Sequence, residues 1–139
     1  MTGPIAFTAA WAAAWCRALN ESAAYRSAGA KWEGDVVLVM HGEGDAPERA
    51  VHLDLHHGEC RGARLASPAD IAGARYVMEA GPATWRELLS GRTAPLMALM
   101  SGRLRLTRGE LAALVPFAGA ASELVAAAVA MNSEFPAQA

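Results

Sequence analysis

The chain has 139 residues, 53% of them hydrophobic before its 13 glycines are counted and 19% charged; ordinary globular chains carry about 45–50% apolar residues with glycine included, so disorder is excluded and one well-cored domain is expected over residues 1–139. The net charge of −2 excludes nucleic-acid binding by bulk electrostatics, which needs a clustered basic surface to neutralise phosphates. The two cysteines, Cys16 and Cys60, form no Cys-x-x-Cys pair, so neither a disulfide framework nor a cysteine zinc site is signalled, and a reducing cytoplasm is the expected compartment.

The first nineteen residues are alanine-rich, lack an early basic patch and carry Arg17, which reads as a helix and not as a signal peptide. Thr8 is placed to cap that helix, and Trp11, Trp15 and Leu19 recur every four residues along one face. After Asn20-Glu21-Ser22, a second stripe of Ala24, Tyr25, Ala28 and Trp32 predicts another helix ending near Gly29 or Gly34. Core packing is the expected role of these tryptophans.

From Asp35 the period changes. Val36–Met40 is an apolar, β-branched run followed by the turn residues Gly42-Glu43-Gly44-Asp45. Arg49–His57 alternates, with Val51, Leu53 and Leu55 on one face and His52, Asp54 and His56 on the other; Gly58 turns the chain, and Glu59–Leu65 predicts a third strand. Short links make an antiparallel meander the simplest pairing. Ser67–Gly73 reads as a loop, Arg75–Ala80 as a fourth strand.

Pro82 opens a helix that Gly91 closes, and Pro95 opens a second that Gly102 closes. Arg103–Thr107 predicts a fifth strand, with Leu104 and Leu106 facing in and Arg103 and Arg105 facing out. A helix then runs from Gly109-Glu110 to Val115, Pro116 breaks it, and a last helix covers Ala120–Met131. The tail from Asn132 is expected to fray. The fold class is α/β (α+β): a five-stranded, largely antiparallel sheet with a wet face and all helices gathered on the other. Leu111–Met131 is long enough to span a membrane, but Pro116 and Glu123 interrupt it and alanine dominates, so a membrane span is not expected.

The segment from Trp85 to Glu110, with Leu88-Leu89-Ser90-Gly91, the Pro95-led helix ending at Gly102, the strand Arg103-Leu104-Arg105-Leu106 and Gly109-Glu110, resembles the hallmark of the sterol carrier protein 2 family. Asn20-Glu21-Ser22, Tyr25, Trp32, Gly34-Asp35 and Val36–Val39 resemble the first helix and strand of its small bacterial members. The similarity covers about residues 7 to 131. Ala94 stands where the family often has an acidic residue, and the final Pro136-Ala137-Gln138-Ala139 is not a peroxisomal address.

The resemblance implies an apolar tunnel between sheet and helices that holds fatty acids, acyl-coenzyme A, sterols or isoprenoid-like lipids, without catalysis and without a cofactor. Trp85, Leu89, Met97, Met100, Leu104, Leu106, Leu114, Phe117, Leu124 and Val125 are the expected lining. Met97, Met100 and Met131 are flexible fillers suited to an adaptable pocket. Phe117, Leu124 and Val125 lie in a segment interrupted by Pro116 and Gly119 that is placed to act as a lid. The expected partner is a hydrophobic small molecule or lipid, with transient membrane-surface contact or a homodimer as further options.

Two other classes stand beside this one. In the first, the surplus apolar surface of the last helices is a homodimer or partner interface and any cavity is vestigial. In the second, His52, Asp54 and His56, with His41 or His57, hold a metal in a small enzyme; same-face side chains on a strand lie about 6.5–7 Å apart. A solvated face that contains histidines is the simpler expectation, so no metal or catalytic residue is assigned. No Gly-x-Ser-x-Gly elbow occurs, and Arg103, Arg105 and Arg108 read as a solvated strand face.

Overall fold

A computed structural model describes residues 3–135. Two helices, α1 (Ala9–Glu21) and α2 (Ala23–Ala28), precede three strands, β1 (Val36–Met40), β2 (Arg49–His56) and β3 (Glu59–Leu65). Then come α3 (Pro68–Gly73), β4 (Tyr76–Ala80), α4 (Pro82–Leu89), α5 (Pro95–Met100), β5 (Arg105–Arg108), α6 (Leu111–Leu114), a 3-10 turn (Val115–Phe117) and α7 (Ala118–Ala130).

The strands form one open sheet in the order β3-β2-β1-β4-β5. β1–β2, β2–β3 and β4–β5 are antiparallel, while β1 and β4 run parallel. That parallel pair explains why Val36–Met40 reads as an unbroken apolar run: β1 is central, and all five of its residues are buried. Val36, Leu38 and Met40 join the main core with Val51, Leu53 and Leu55 of β2 and with Trp11, Trp15 and Leu19 of α1. The predicted cap of α1 is formed, since Thr8 Oγ1 accepts from the Trp11 N–H at 3.2 Å; Ser22 Oγ caps α2 in the same way, accepting from the Tyr25 N–H at 3.0 Å. Phe7, buried with φ of 62°, stacks on Trp11 at 5.0 Å and meets Trp85 edge-on at 5.3 Å.

Several expectations are corrected. Within Ser67–Gly73, Pro68–Gly73 is the helix α3, opened by a capping box between Ser67 and Asp70. It also packs on the opposite side of the sheet: Ile71, Ala50 and Ala66 cover a small cluster of Val37, Val39, Ala74 and Val77. The helices therefore do not all gather on one face. Trp32 lies beyond α2, which ends at Ala28. β5 begins at Arg105, not Arg103. Pro116 does not stop the chain's helical course, because it sits in a 3-10 turn that joins α6 to α7. The tail is docked as far as Phe135: Ile5 bridges Glu134, and the Trp11 indole N–H donates to Ser133 Oγ at 2.7 Å. The expectation of fraying beyond Phe135 lies outside the described residues.

Around the small cluster the second face is polar and ion-paired. His52 Nε2 lies 2.8 Å from Asp35 Oδ2, and His41 Nε2 lies 3.0 Å from Glu79 Oε1. Burial pushes the Asp35 carboxyl up, but the Arg75 N–H and His52 outweigh it and hold it below its ordinary value. The bond to His41 likewise holds Glu79 down. A carboxylate depressed in the folded state adds stability that is complete above its unfolded value, about 4, and is lost as pH falls through the folded value. Urea midpoints should therefore be flat from pH 7 to about 5 and fall below about 4. A midpoint that holds or rises on acidification to pH 3 contradicts these pairings.

Candidate functional site

A cavity of about 80 Å³ lies between the main face of the sheet and the helices. Val36 and Leu38 of β1, Leu55 of β2 and Met78 of β4 form its floor. Trp15, Tyr25 and Trp32 close one side, and Trp85, Leu88 and Leu89 of α4 another. Pro95, Leu96 and Leu99 of α5, with Leu104, continue the wall, and Leu114, Phe117, Ala120, Leu124 and Val125 of the α6–α7 segment cover it.

The polar atoms of this lining are nearly all engaged. The Trp15 indole N–H donates to Leu124 O at 3.0 Å, that of Trp85 to Val39 O at 2.9 Å, and that of Trp32 to Gly34 O at 2.9 Å. These bonds fix the rings so that only their apolar surfaces face inward. Tyr25 is the one lining residue that carries a hydroxyl, and burial with the neighbouring Cys60 pushes its phenol up to about 12. It stays neutral and protonated at physiological pH.

Of the residues expected to line a tunnel, Trp85, Leu89, Leu104, Leu114, Phe117, Leu124 and Val125 do face this cavity. Met97 and Met100 do not: they are 61% and 68% exposed on the outer side of α5, while Leu96 and Leu99 face inward. Leu106 is half-buried against the core opposite Met78 and does not reach the cavity, and Met131 also packs on the core outside it. The tryptophans read as core, Trp15 and Trp32, line the wall, together with Tyr25, Val36, Leu38, Leu55, Met78 and Leu88. For the floor, the alternation of β2 marks Leu55 as inward, whereas the unbroken apolar run of β1 does not single out Val36 and Leu38.

The strand histidines do not converge on one point. His52 is held by Asp35, and Asp54 pairs with Arg61 at 3.0 Å. His56 stacks on His57, whose Nε2 lies 2.7 Å from Glu33 Oε1. Arg103 pairs with Glu87 at 2.5 Å. Cys60 is buried and its thiol is pushed up by that burial and by Cys16, so it is held in the unreactive protonated form.

The α6–α7 segment, Leu111–Ala130, is long and apolar enough to cross a membrane by length and composition alone. Only Leu114, Ala120 and Ala128 within it are fully buried. Its inward side chains instead cover the cavity, and the Trp15–Leu124 bond ties it to α1.

No family model matches the chain, and no curated protein matches it. Solved structures do. A crystal structure of sterol carrier protein 2 is 50% identical, covers 91% of this chain and 98% of its own, and superposes with a TM-score of 0.84. The solution structure of a conserved hypothetical protein of Thermus thermophilus, named as a candidate sterol carrier protein, is 46% identical over 100% of this chain and 97% of its own, with a TM-score of 0.85. Sterol carrier protein 2 of Yarrowia lipolytica, in its apo form, is 15% identical over 83% of this chain and 86% of its own, with a TM-score of 0.56, and shares the fold alone. With half its residues identical across nearly the whole length of a solved member, and with a superposition on it at a TM-score of 0.84, the chain belongs to the sterol carrier protein 2 family.

Proposed function

We infer that this protein binds an apolar lipid in the cavity beneath α6–α7 and carries or presents it without covalent chemistry. The observation that carries the reading is the lining itself: some twenty apolar side chains enclose one space, and the three indole N–H groups among them are already bonded. Such a wall rewards burial of methylenes, each contributing about 0.8 kcal/mol. It distinguishes poorly between chains that differ by one methylene. Fatty acids, acyl-coenzyme A and sterol- or isoprenoid-like lipids fit that chemistry.

At about 80 Å³ the cavity is smaller than the roughly 300–1,000 Å³ typical of ligand sites. A long acyl chain therefore requires the cover to move outward. The thin burial of Leu111–Ala130 makes that the least costly wall to displace.

The experiment is a titration with cis-parinaric acid. Trp15, Trp32 and Trp85 line the cavity, so bound polyene should quench tryptophan emission saturably at one probe per chain, and oleate should reverse it. Linear, unsaturable quenching argues against the reading. A second reading rests on the exposed Met97, Met100, Leu111 and Val115: an interface for a second copy or a partner. It predicts a mass that rises with concentration and no displaceable probe.

A further inference from the structure

Outside the cavity, three side chains with lone pairs meet at the turn of the β2–β3 hairpin. One ligand-capable atom each from Glu33, His56 and His57 lie within 4.8 Å of one another. The backbone beneath them is fixed at several points. Glu33 pairs with His56 in an antiparallel bridge, and the His57 N–H donates to Trp32 O at 2.7 Å. Gly58, at φ of 80°, packs so closely under α2 that a Cβ there would collide with the Arg26 carbonyl oxygen. Only side-chain torsions are left to be set. The two imidazoles already lie side by side, with centroids 3.9 Å apart and planes 22° from parallel. Glu33 and His57 are exposed and His56 half-exposed, so a hydrated cation can reach all three.

We propose that Glu33, His56 and His57 form a binding site for one divalent transition-metal cation of the zinc type. Two imidazole nitrogens and a carboxylate oxygen are a donor set that suits zinc, nickel or copper and does not suit calcium or magnesium, which take oxygens. Tetrahedral ligands at about 2.0–2.1 Å from zinc lie roughly 3.3 Å from one another. His57 and Glu33, now 2.7 Å apart at Nε2 and Oε1, must open slightly, and one of the stacked rings must turn about χ1 and χ2 so that both in-plane lone pairs converge from donor positions within 4.8 Å. The cation sits between the His57 and Glu33 side chains, and water completes the shell.

Binding would fasten the hairpin to the segment that carries Trp32. The Trp32 indole lines the cavity and meets Phe117 edge-on at 5.0 Å and 84°. The cation is therefore a clasp beside the cavity wall, and the site stands whether or not the cavity takes a lipid.

The test uses the full chain without a histidine tag, stripped with a chelator and titrated with zinc chloride near neutral pH by calorimetry. One cation per chain and a rise in melting temperature are expected. His56→Ala and His57→Ala should each weaken binding at least about tenfold, and their combination should abolish it. His41→Ala, whose imidazole lies on Glu79, should leave it unchanged. Circular dichroism checks that each variant is folded. No saturable uptake below about 100 µM, or undiminished affinity in the His56/His57 double variant, overturns the site.

Discussion

Replacing Leu124 by Trp is expected to abolish lipid-probe binding while the fold survives. Leu124 is half-buried on α7, and its side chain projects into the cavity. The bond it makes to the Trp15 indole uses its backbone carbonyl, so the tie between α1 and the cover is kept. An indole in place of the isobutyl group fills space that an acyl chain would occupy. Excluding about four methylenes at about 0.8 kcal/mol each costs about 3 kcal/mol, or roughly a hundredfold in affinity. Leu124→Ala is the counterpart: it enlarges the same space and should keep probe binding. Both are read by the parinaric acid titration, with circular dichroism as the check on folding. Undiminished binding in Leu124→Trp places the site elsewhere.

Trp85→Ala should have the largest effect on stability of any single change at the cavity. Its ring is 3% exposed and packs edge-on against Phe7, and its N–H crosses to Val39 O of the central strand. The substitution removes a large buried ring and leaves a carbonyl without that donor. Large aromatic truncations of this kind cost about 3–5 kcal/mol, which for a chain of this size lowers the melting temperature by about 10–20 °C. Trp85→Phe keeps most of the packing and should cost about 1–3 kcal/mol, close to the loss of the hydrogen bond alone. Thermal melts of both variants check the ordering. A Trp85→Ala protein within about 1 kcal/mol of the parent would show that α4 is not anchored through this ring.

How far the sequence carries can be judged from particular elements. The strands are legible because β2 alternates cleanly and β1 is an uninterrupted apolar run; each pattern has one physical meaning in a sheet with a wet face and a central strand. The capped start of α1 is legible because the hydroxyl of Thr8 has a specific backbone partner, and Ser22 proves to play the same part for α2. α3 is not, since six residues with a single large apolar side chain, Ile71, give no period to count. Its sequence signals lie at its start only, in the Ser67–Asp70 capping box and in Pro68 at the first helical position.

The rotation of α5 lies beyond sequence reasoning as well. In Pro-Leu-Met-Ala-Leu-Met every long side chain is apolar, so nothing in the pattern chooses Leu96 and Leu99 over Met97 and Met100 for the inside; the neighbouring helices decide it. The docked tail escapes the sequence for a related reason. Ser133 and Glu134 look like solvated residues, and only the tertiary fold brings them to Trp11 and Ile5. Trp15 and Trp32 are interior residues as their spacing predicts, but one sequence cannot distinguish a core wall from a cavity wall, because both demand the same apolar surface.

A lipid held in the space under α6–α7 should be visible by native mass spectrometry of freshly purified protein, followed by organic extraction and lipid analysis. A one-to-one adduct with the mass of a fatty acid or isoprenoid lipid, lost on extraction and absent from Leu124→Trp, is the predicted result. A bare chain mass that stays bare after incubation with oleate, in a protein that is otherwise folded, would contradict it.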